Sequence, residues 1–110
     1  MKSVVAIIGT VLFLSFSIQA LAAGDAAAGK DLYLKKCASC HGQAGEGKES
    51  VAKNMKVELK PLGSKEVQSK SDAELQKITL EGVGKMKPVK DLDPTSAENI
   101  VAYLRTLPKK

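Results

Sequence analysis

The stretch Cys37-Ala38-Ser39-Cys40-His41 decides how the rest of this sequence is interpreted. Two thiols at this spacing can each form a thioether bond to one of the two vinyl side chains of a porphyrin. The histidine that follows then lies under the ring and can supply an axial nitrogen to the iron. The run therefore predicts one covalent haem of the c type, attached through Cys37 and Cys40, with His41 as an iron ligand.

Other uses of two neighbouring cysteines have less support from the sequence. A thioredoxin-like redox pair requires a βαβ context, and no segment has the alternation that is typical of a strand. A zinc site needs four ligands, whereas the chain has 2 Cys and 1 His. A disulfide between the two cysteines would close too short a loop to stabilise a domain.

The N-terminal segment has the composition of an export signal. Lys2 precedes residues 4–23, which carry no charge, and Ala20-Leu21-Ala22 has the small residues of a cleavage site. We therefore predict a signal peptide at residues 1–22, a cofactor-binding domain at residues 23–110 and a periplasmic location. An uncleaved membrane anchor is the alternative, because about 20 apolar residues suffice to span a bilayer.

The predicted domain is short of large apolar side chains. The chain has 110 residues with 2 Phe, 2 Tyr and no Trp. Both Phe lie in the predicted signal peptide, so Tyr33 and Tyr103 are the aromatic residues that remain. Because a domain this small buries little surface, we expect a large apolar cofactor to complete its core.

Capping signals predict the first two of three main helices. The first covers about residues 26–36, with Asp25 as its N-cap. The second begins after Ser71, which forms a capping-box pattern with Glu74. Gly82 is a natural stop for that helix.

The third predicted helix runs from about Thr95 to Leu107 and is followed by Pro108. Asp93, Thr95 or Ser96 can cap its N-terminus. Its apolar residues recur at helical spacing and form a buried stripe, which consists of Ile100, Val101, Leu104 and Leu107.

Two long segments, residues 42–70 and 83–92, lie between the predicted helices. They are rich in Gly, Lys, Pro and Ser and are long for loops in so small a domain. We expect them to wrap the cofactor. The predicted fold class is therefore all-α, with three main helices and long loops around one covalent haem.

The second axial ligand cannot be another histidine of this chain, because His41 is its only histidine. Met86 lies in Gly82-Val83-Gly84-Lys85-Met86-Lys87-Pro88, whose glycines and proline favour a shaped loop that brings a thioether to a flat ring. Met55 has no such neighbours and is an alternative, as are a lysine and an open site. We predict His41 and Met86 as the iron ligands.

These residues resemble those of the small bacterial class I cytochromes c, over nearly the whole predicted domain. Cys37, Cys40 and His41 match the family's attachment motif, and Met86 matches its distal ligand. The resemblance implies an electron carrier rather than an enzyme, because a methionine in the sixth position keeps substrates from the iron.

The resemblance extends to the first and last helices. Gly29 and Tyr33 resemble residues of the family's first helix, and Tyr103 and Leu104 resemble an aromatic-aliphatic pair of its last. It implies that the two helices cross closely at the glycine. It also implies that the haem-ligating histidine donates its other ring nitrogen to a backbone carbonyl before a Pro-Leu-like step, for which Pro61-Leu62 is the candidate.

The two long segments carry many lysines, at positions 48, 53, 56, 60, 65, 70, 85, 87 and 90. If these segments frame the haem edge, that face is positive. A positive face favours redox proteins with acidic docking faces, or transient contact with an anionic membrane surface. We expect a monomer and no nucleic-acid partner for an exported chain.

The sequence thus predicts a soluble periplasmic electron carrier that cycles Fe(III)/Fe(II) between redox partners of a respiratory or related chain. A haem enzyme or gas sensor is one alternative, and it would need a distal His or Arg. The single histidine is already assigned, and Arg105 lies late in the last helix. A membrane-tethered subunit of a respiratory complex is the other alternative and shares the same chemistry.

Overall fold

The computed structural model describes residue 9 and residues 24–109. This part of the chain contains no strand and six helices: α1 (Ala26–Lys36), α2 (Ala38–His41), α3 (Glu49–Met55), α4 (Lys65–Gln68), α5 (Asp72–Glu81) and α6 (Pro94–Leu104). The all-α fold class is therefore confirmed. Apart from Gly9, the predicted signal peptide at residues 1–22 lies outside the described residues. No helix in the described part is both long and apolar enough to cross a bilayer.

The three longer helices begin at the caps that the sequence offered. Asp25 accepts hydrogen bonds from the first turn of α1, and the Ser71 hydroxyl accepts one from the N–H of Glu74 at 3.1 Å. At α6 the cap is Asp93, whose carboxylate accepts from the N–H of Ser96 at 2.7 Å. Each cap satisfies an N–H that has no partner inside its own helix.

The predicted end of the last helix at Leu107 is wrong, because α6 ends at Leu104. Beyond it, the N–H of Thr106 donates to the carbonyl of Tyr103 at 2.9 Å, and the N–H of Leu107 donates to that of Leu104 at 3.3 Å. These bonds reach back three residues instead of four. Pro108 disfavours the helical conformation in the residue before it, so the chain tightens there and still buries Leu107 in the core.

Helices α1 and α6 cross at Gly29, as the resemblance implied. A Cβ at Gly29 would overlap the backbone carbonyl of Asn99, so only glycine allows this approach. The Asn99 side chain also accepts a hydrogen bond from the N–H of Asp25 at 2.8 Å, which holds the crossing at a second point. Tyr33 is completely buried beside it and packs in the same cluster as Ile100.

Two short helices, α3 and α4, lie in the predicted loop at residues 42–70, and a third, α2, lies between that loop and the first predicted helix. Helices of four to seven residues are too short to show an apolar period in the sequence. Helix α3 has no side-chain cap bond at its start, and Lys56, the C-cap residue after its last residue, has a left-handed φ of 53°. At α4 a local signal did exist, because the Ser64 hydroxyl accepts from the N–H of Val67 at 3.4 Å.

Candidate functional site

A cavity of about 590 Å³ lies between the α1–α2 junction, α3, α5 and the loop that follows α5. This volume is within the roughly 300–1,000 Å³ that is usual for cofactor sites. Much of its lining is apolar and comes from Val51, Val57, Leu59, Leu75, Ile78 and Val89. The lining also contains the four residues that the sequence singled out, Cys37, Cys40, His41 and Met86.

The two cysteines and the histidine stand on one turn of chain. The N–H of Cys37 donates to the carbonyl of Tyr33 at 2.8 Å and closes α1. The carbonyl of Cys37 accepts from the N–H groups of Cys40 at 3.2 Å and His41 at 3.0 Å, which begins α2. The two thiols are not joined by a disulfide. The attachment motif is therefore held by helix geometry on both sides of Cys37.

Tyr33 has a role that the sequence analysis did not assign to it. Its buried hydroxyl donates to the carbonyl of Gly42 at 2.6 Å, directly after His41. This bond ties the end of α2 to the core. The signal was present in the sequence, because a buried tyrosine usually needs a partner for its hydroxyl.

Burial shifts the pKa values of Cys37 and His41. It raises the pKa of the Cys37 thiol to about 11, so this thiol is protonated near neutral pH. A redox-active or nucleophilic cysteine needs the opposite shift, which argues against the thioredoxin-like alternative. Burial also lowers the pKa of His41, which favours the neutral imidazole, the form that binds metals.

The predicted hydrogen bond from His41 to a backbone carbonyl before the Pro61-Leu62 step is wrong. The Nδ1 atom of His41 is buried and has no hydrogen-bond partner within the described residues. The carbonyl of Pro61 accepts from the N–H of Ser64 at 2.9 Å, and that of Leu62 accepts from the side chain of Gln68 at 2.8 Å. Both carbonyls thus bond to residues at the start and end of α4, a helix that the sequence did not reveal.

Met86 lies on a tight turn after α5. The N–H and carbonyl groups of Val83 and Met86 form two hydrogen bonds of 3.0 and 2.9 Å. Gly84 within the turn has a φ of 54°, which glycine adopts without strain. Gly82 has a φ of 79°, and a Cβ there would lie 2.9 Å from the nitrogen of Pro88. The glycines thus allow the two ends of this loop to approach each other.

Met55, the alternative ligand, also lines the cavity but is more peripheral. Residue Met55 is 36 % exposed, whereas Met86 is half-buried. Met86 and His41 also line a second cavity of about 70 Å³, to which Met55 does not contribute. The geometry therefore favours Met86 over Met55 as the partner of His41.

Arg105, the residue considered for an enzymatic site, has its partners elsewhere. Its guanidinium donates to the carboxylate of Asp72 at 2.9 Å and to the backbone carbonyls of Gln68 and Lys70 at 2.9 and 2.6 Å. These bonds tie α6 to the turn between α4 and α5. Within the described residues, the cavity lining contains no arginine and no histidine besides His41.

The residues present fit a covalently bound haem. The cavity is mostly apolar, two free thiols stand at its wall, and the imidazole of His41 lines it beside them. Two thiols and an imidazole at one apolar cavity are the donor set of a covalently attached, iron-bound macrocycle. This fold and this site define a small c-type cytochrome.

The comparisons with known proteins give the same class. Residues 24–104 match the family described as cytochrome c oxidase, cbb3-type, subunit III, and the chain belongs to this family. Cytochrome c-554(547) from Halothiobacillus neapolitanus is 35 % identical over 91 residues, which cover 77 % of this chain and 99 % of that protein.

Solved structures of c-type cytochromes have the same fold. KustC0563, a c-type cytochrome, superposes with a TM-score of 0.63 at 27 % identity, over 74 % of this chain and 98 % of that one. Cytochrome cL from Hyphomicrobium denitrificans gives a TM-score of 0.59 at 26 % identity, over 76 % of this chain and 48 % of that one. The predicted family and the covalent haem c are therefore confirmed, and the chain is a haem-containing electron carrier.

Proposed function

We propose that this chain is a soluble periplasmic electron carrier with one haem attached through Cys37 and Cys40 and with His41 and Met86 as axial ligands. The observation that carries the proposal is that His41 and Met86 line the same two cavities, next to two free thiols. Residues 1–22 are a signal peptide in this proposal, and residues 23–110 are the exported domain.

The bound haem supplies a one-electron Fe(III)/Fe(II) couple. The chain supplies the ligands and the surroundings that tune this couple. A methionine thioether as the sixth ligand raises the reduction potential, and it also keeps small molecules from the iron. The apolar lining lowers the local dielectric constant, which disfavours the more highly charged ferric site and raises the potential further. Electron transfer needs no acid or base, so the proposed carrier is not an enzyme.

The lining of the cavity also indicates where electrons leave. The cavity lining contains one acidic residue, Glu58, and five lysines. The lysines are Lys36, Lys60, Lys70, Lys85 and Lys87. Val83 lines the same cavity and is 57 % exposed. An exposed apolar residue and several lysines at one cavity suit brief docking to a redox protein with an acidic face. The same charge suits transient contact with an anionic membrane surface, and the proposed carrier is a monomer.

Absorption spectra of the purified protein and of Met86→Ala and Met55→Ala test the ligand assignment. We expect a c-type spectrum with the ferric methionine–iron charge-transfer band, lost in Met86→Ala and retained in Met55→Ala. The reverse pattern would assign the sixth position to Met55. A high-spin ferric spectrum in the unmutated protein would indicate an open site and favour a sensor or enzyme. Absence of covalent haem would overturn the proposal.

A second candidate is a membrane-held subunit of a respiratory complex, favoured by the family description, which names an oxidase subunit. The match to almost the full length of a cytochrome c-554(547) supports the independent carrier instead. Mass spectrometry of protein from periplasmic and membrane fractions separates the two. A haem-bearing chain that starts at residue 23 in the periplasm supports the carrier, and a membrane-bound chain that retains residues 1–22 supports the subunit.

A further inference from the structure

The loop from Gly82 to Leu92, which bears Met86, is held to three different helices. One tie is a backbone hydrogen bond, from the N–H of Val89 to the carbonyl of Thr79 in α5, at 3.1 Å. The other two ties are lysine side chains that reach backbone carbonyls across the cavity. A loop fixed by side chains can be loosened by single substitutions that leave its backbone hydrogen bonds in place.

The first lysine tie joins the loop to α1. Lys36 is the last residue of α1, and its ammonium donates to the carbonyl of Lys90 at 3.0 Å. The side chain lies beside Cys37 and lines the cavity. This bond therefore connects the chain next to the attachment motif with the far end of the methionine loop.

The second lysine tie joins the loop to α3. The Lys85 ammonium donates to the carbonyl of Met55 at 2.7 Å. Met55 is the last residue of α3, so its carbonyl has no partner inside that helix. An ammonium at a helix C-terminus also interacts favourably with the partial negative charge there. Lys85 precedes Met86 directly, so this bond fixes the backbone one residue from the proposed ligand.

We infer that Lys85 and Lys36 form a two-point clamp that keeps Met86 in the sixth coordination position by holding its loop closed. The inference rests on the proposed function, since it assumes that Met86 is the ligand. The two lysines are positioning residues, because they act on the loop and do not touch the iron. For Met86 to leave its position, the loop must move away from α1 and α3, and both charged hydrogen bonds oppose that movement.

Lys87 is the matched control on the other side of Met86. It also lines the cavity, but within residues 24–109 its side chain makes no hydrogen bond or ion pair. Lys85→Gln and Lys87→Gln therefore remove the same charge, one residue before and one residue after the ligand. They differ in whether a tie is lost.

The experiment measures how fast imidazole replaces Met86 in the ferric holoprotein, followed by loss of the charge-transfer band. We expect Lys85→Gln and Lys36→Gln each to speed the replacement roughly fivefold, the factor for about 1 kcal/mol of a lost hydrogen bond. Lys87→Gln should stay within about twofold of the unmutated rate, because Lys87 is exposed and an exposed charge without a bond to the rest of the chain has little effect. Glutamine keeps an amide donor but loses the charge, and its side chain is one atom shorter than that of lysine. Lys85→Arg retains a charged donor of sufficient length and should restore the slow rate.

Equal rates in Lys85→Gln, Lys36→Gln and Lys87→Gln would overturn the clamp, whether all three are slow or all three are fast. Failure of the proposed function looks different, because the unmutated protein would then lack the charge-transfer band or would keep it in Met86→Ala. Hydrogen exchange of the Val83 and Met86 amides in the same holoproteins gives a second readout. It should be faster in Lys85→Gln than in Lys87→Gln, and equal protection would contradict the clamp.

Discussion

The substitution Gly29→Ala separates two physical effects that predict opposite signs. In an exposed helix, alanine is more stable than glycine by about 1 kcal/mol, so helix propensity alone predicts a more stable protein. At Gly29, however, the new Cβ would overlap the carbonyl of Asn99 and would lie 2.9 Å from the backbone nitrogen of Ile100. These are backbone atoms, which no change of rotamer can move aside.

Helices α1 and α6 must therefore separate, and overpacking of this kind costs roughly 1–3 kcal/mol or more. Because the shift also disturbs the buried Tyr33, we place the overlap cost near the upper end of that range. After the gain in propensity, the expected net effect is a loss of about 2 kcal/mol of unfolding free energy.

The assay is denaturant unfolding of the haem-loaded protein, followed by absorbance and by circular dichroism. Ala27→Gly is the control, because Ala27 is an exposed position in the first turn of the same helix, and it should lose at most about 1 kcal/mol by propensity alone. A Gly29→Ala protein as stable as the unmutated one, or more stable, would refute the argument. It would show that the crossing of α1 and α6 relaxes at little cost.

Three further predictions follow from single contacts. Tyr33→Phe leaves the carbonyl of Gly42 without its donor and should lower the free energy of unfolding by about 1–2 kcal/mol. Tyr103→Phe should change the free energy of unfolding by less, and equal losses in the two variants would contradict the prediction. Hydrogen bonds from Ser96 lower the pKa of Asp93. The charged carboxylate therefore stabilises the fold above its unfolded pKa of 3.8, and this contribution is lost as the pH falls through the lower folded value. The melting temperature of Asp93→Asn should therefore vary less with pH below about 4 than that of the unmutated protein, and parallel pH profiles would contradict this prediction. Lys87→Glu should slow electron transfer from an anionic iron–cyanide donor at low ionic strength and approach the unmutated rate at high salt, and a salt-independent defect would point to a structural role for Lys87 instead.

Features that depend on neighbouring residues could be predicted from the sequence. Asp25, Ser71 and Gly82 mark helix ends through bonds within a few residues, and the spacing of Cys37 and Cys40 encodes attachment to a ring of fixed size. Gly29 was predicted by resemblance, and the structure supplies the reason in the close carbonyl of Asn99.

Features that depend on distant segments could not be predicted in this way. The partners of the Pro61 and Leu62 carbonyls depend on α4, whose four residues leave no periodic signal. The tie from Lys85 to Met55 spans 30 residues, and no local pattern distinguishes Lys85 from the lysines around it. Such contacts form only when the two long segments meet around the cavity.

The contacts between distant segments also affect how the positive charge of the lysines that line the cavity is interpreted. Net charge treats its lysines as equivalent, but Lys36 and Lys85 already donate to carbonyls of this chain, and Lys60 pairs with Glu66. Such lysines still contribute to the long-range potential, but their ammonium groups must break an existing bond before they can pair with a carboxylate of a partner. Lys87 can pair without that cost. If the proposed docking and the proposed clamp hold, direct ion pairs at docking should centre on Lys87. Substitution of Lys36 or Lys85 should instead act on the methionine loop first.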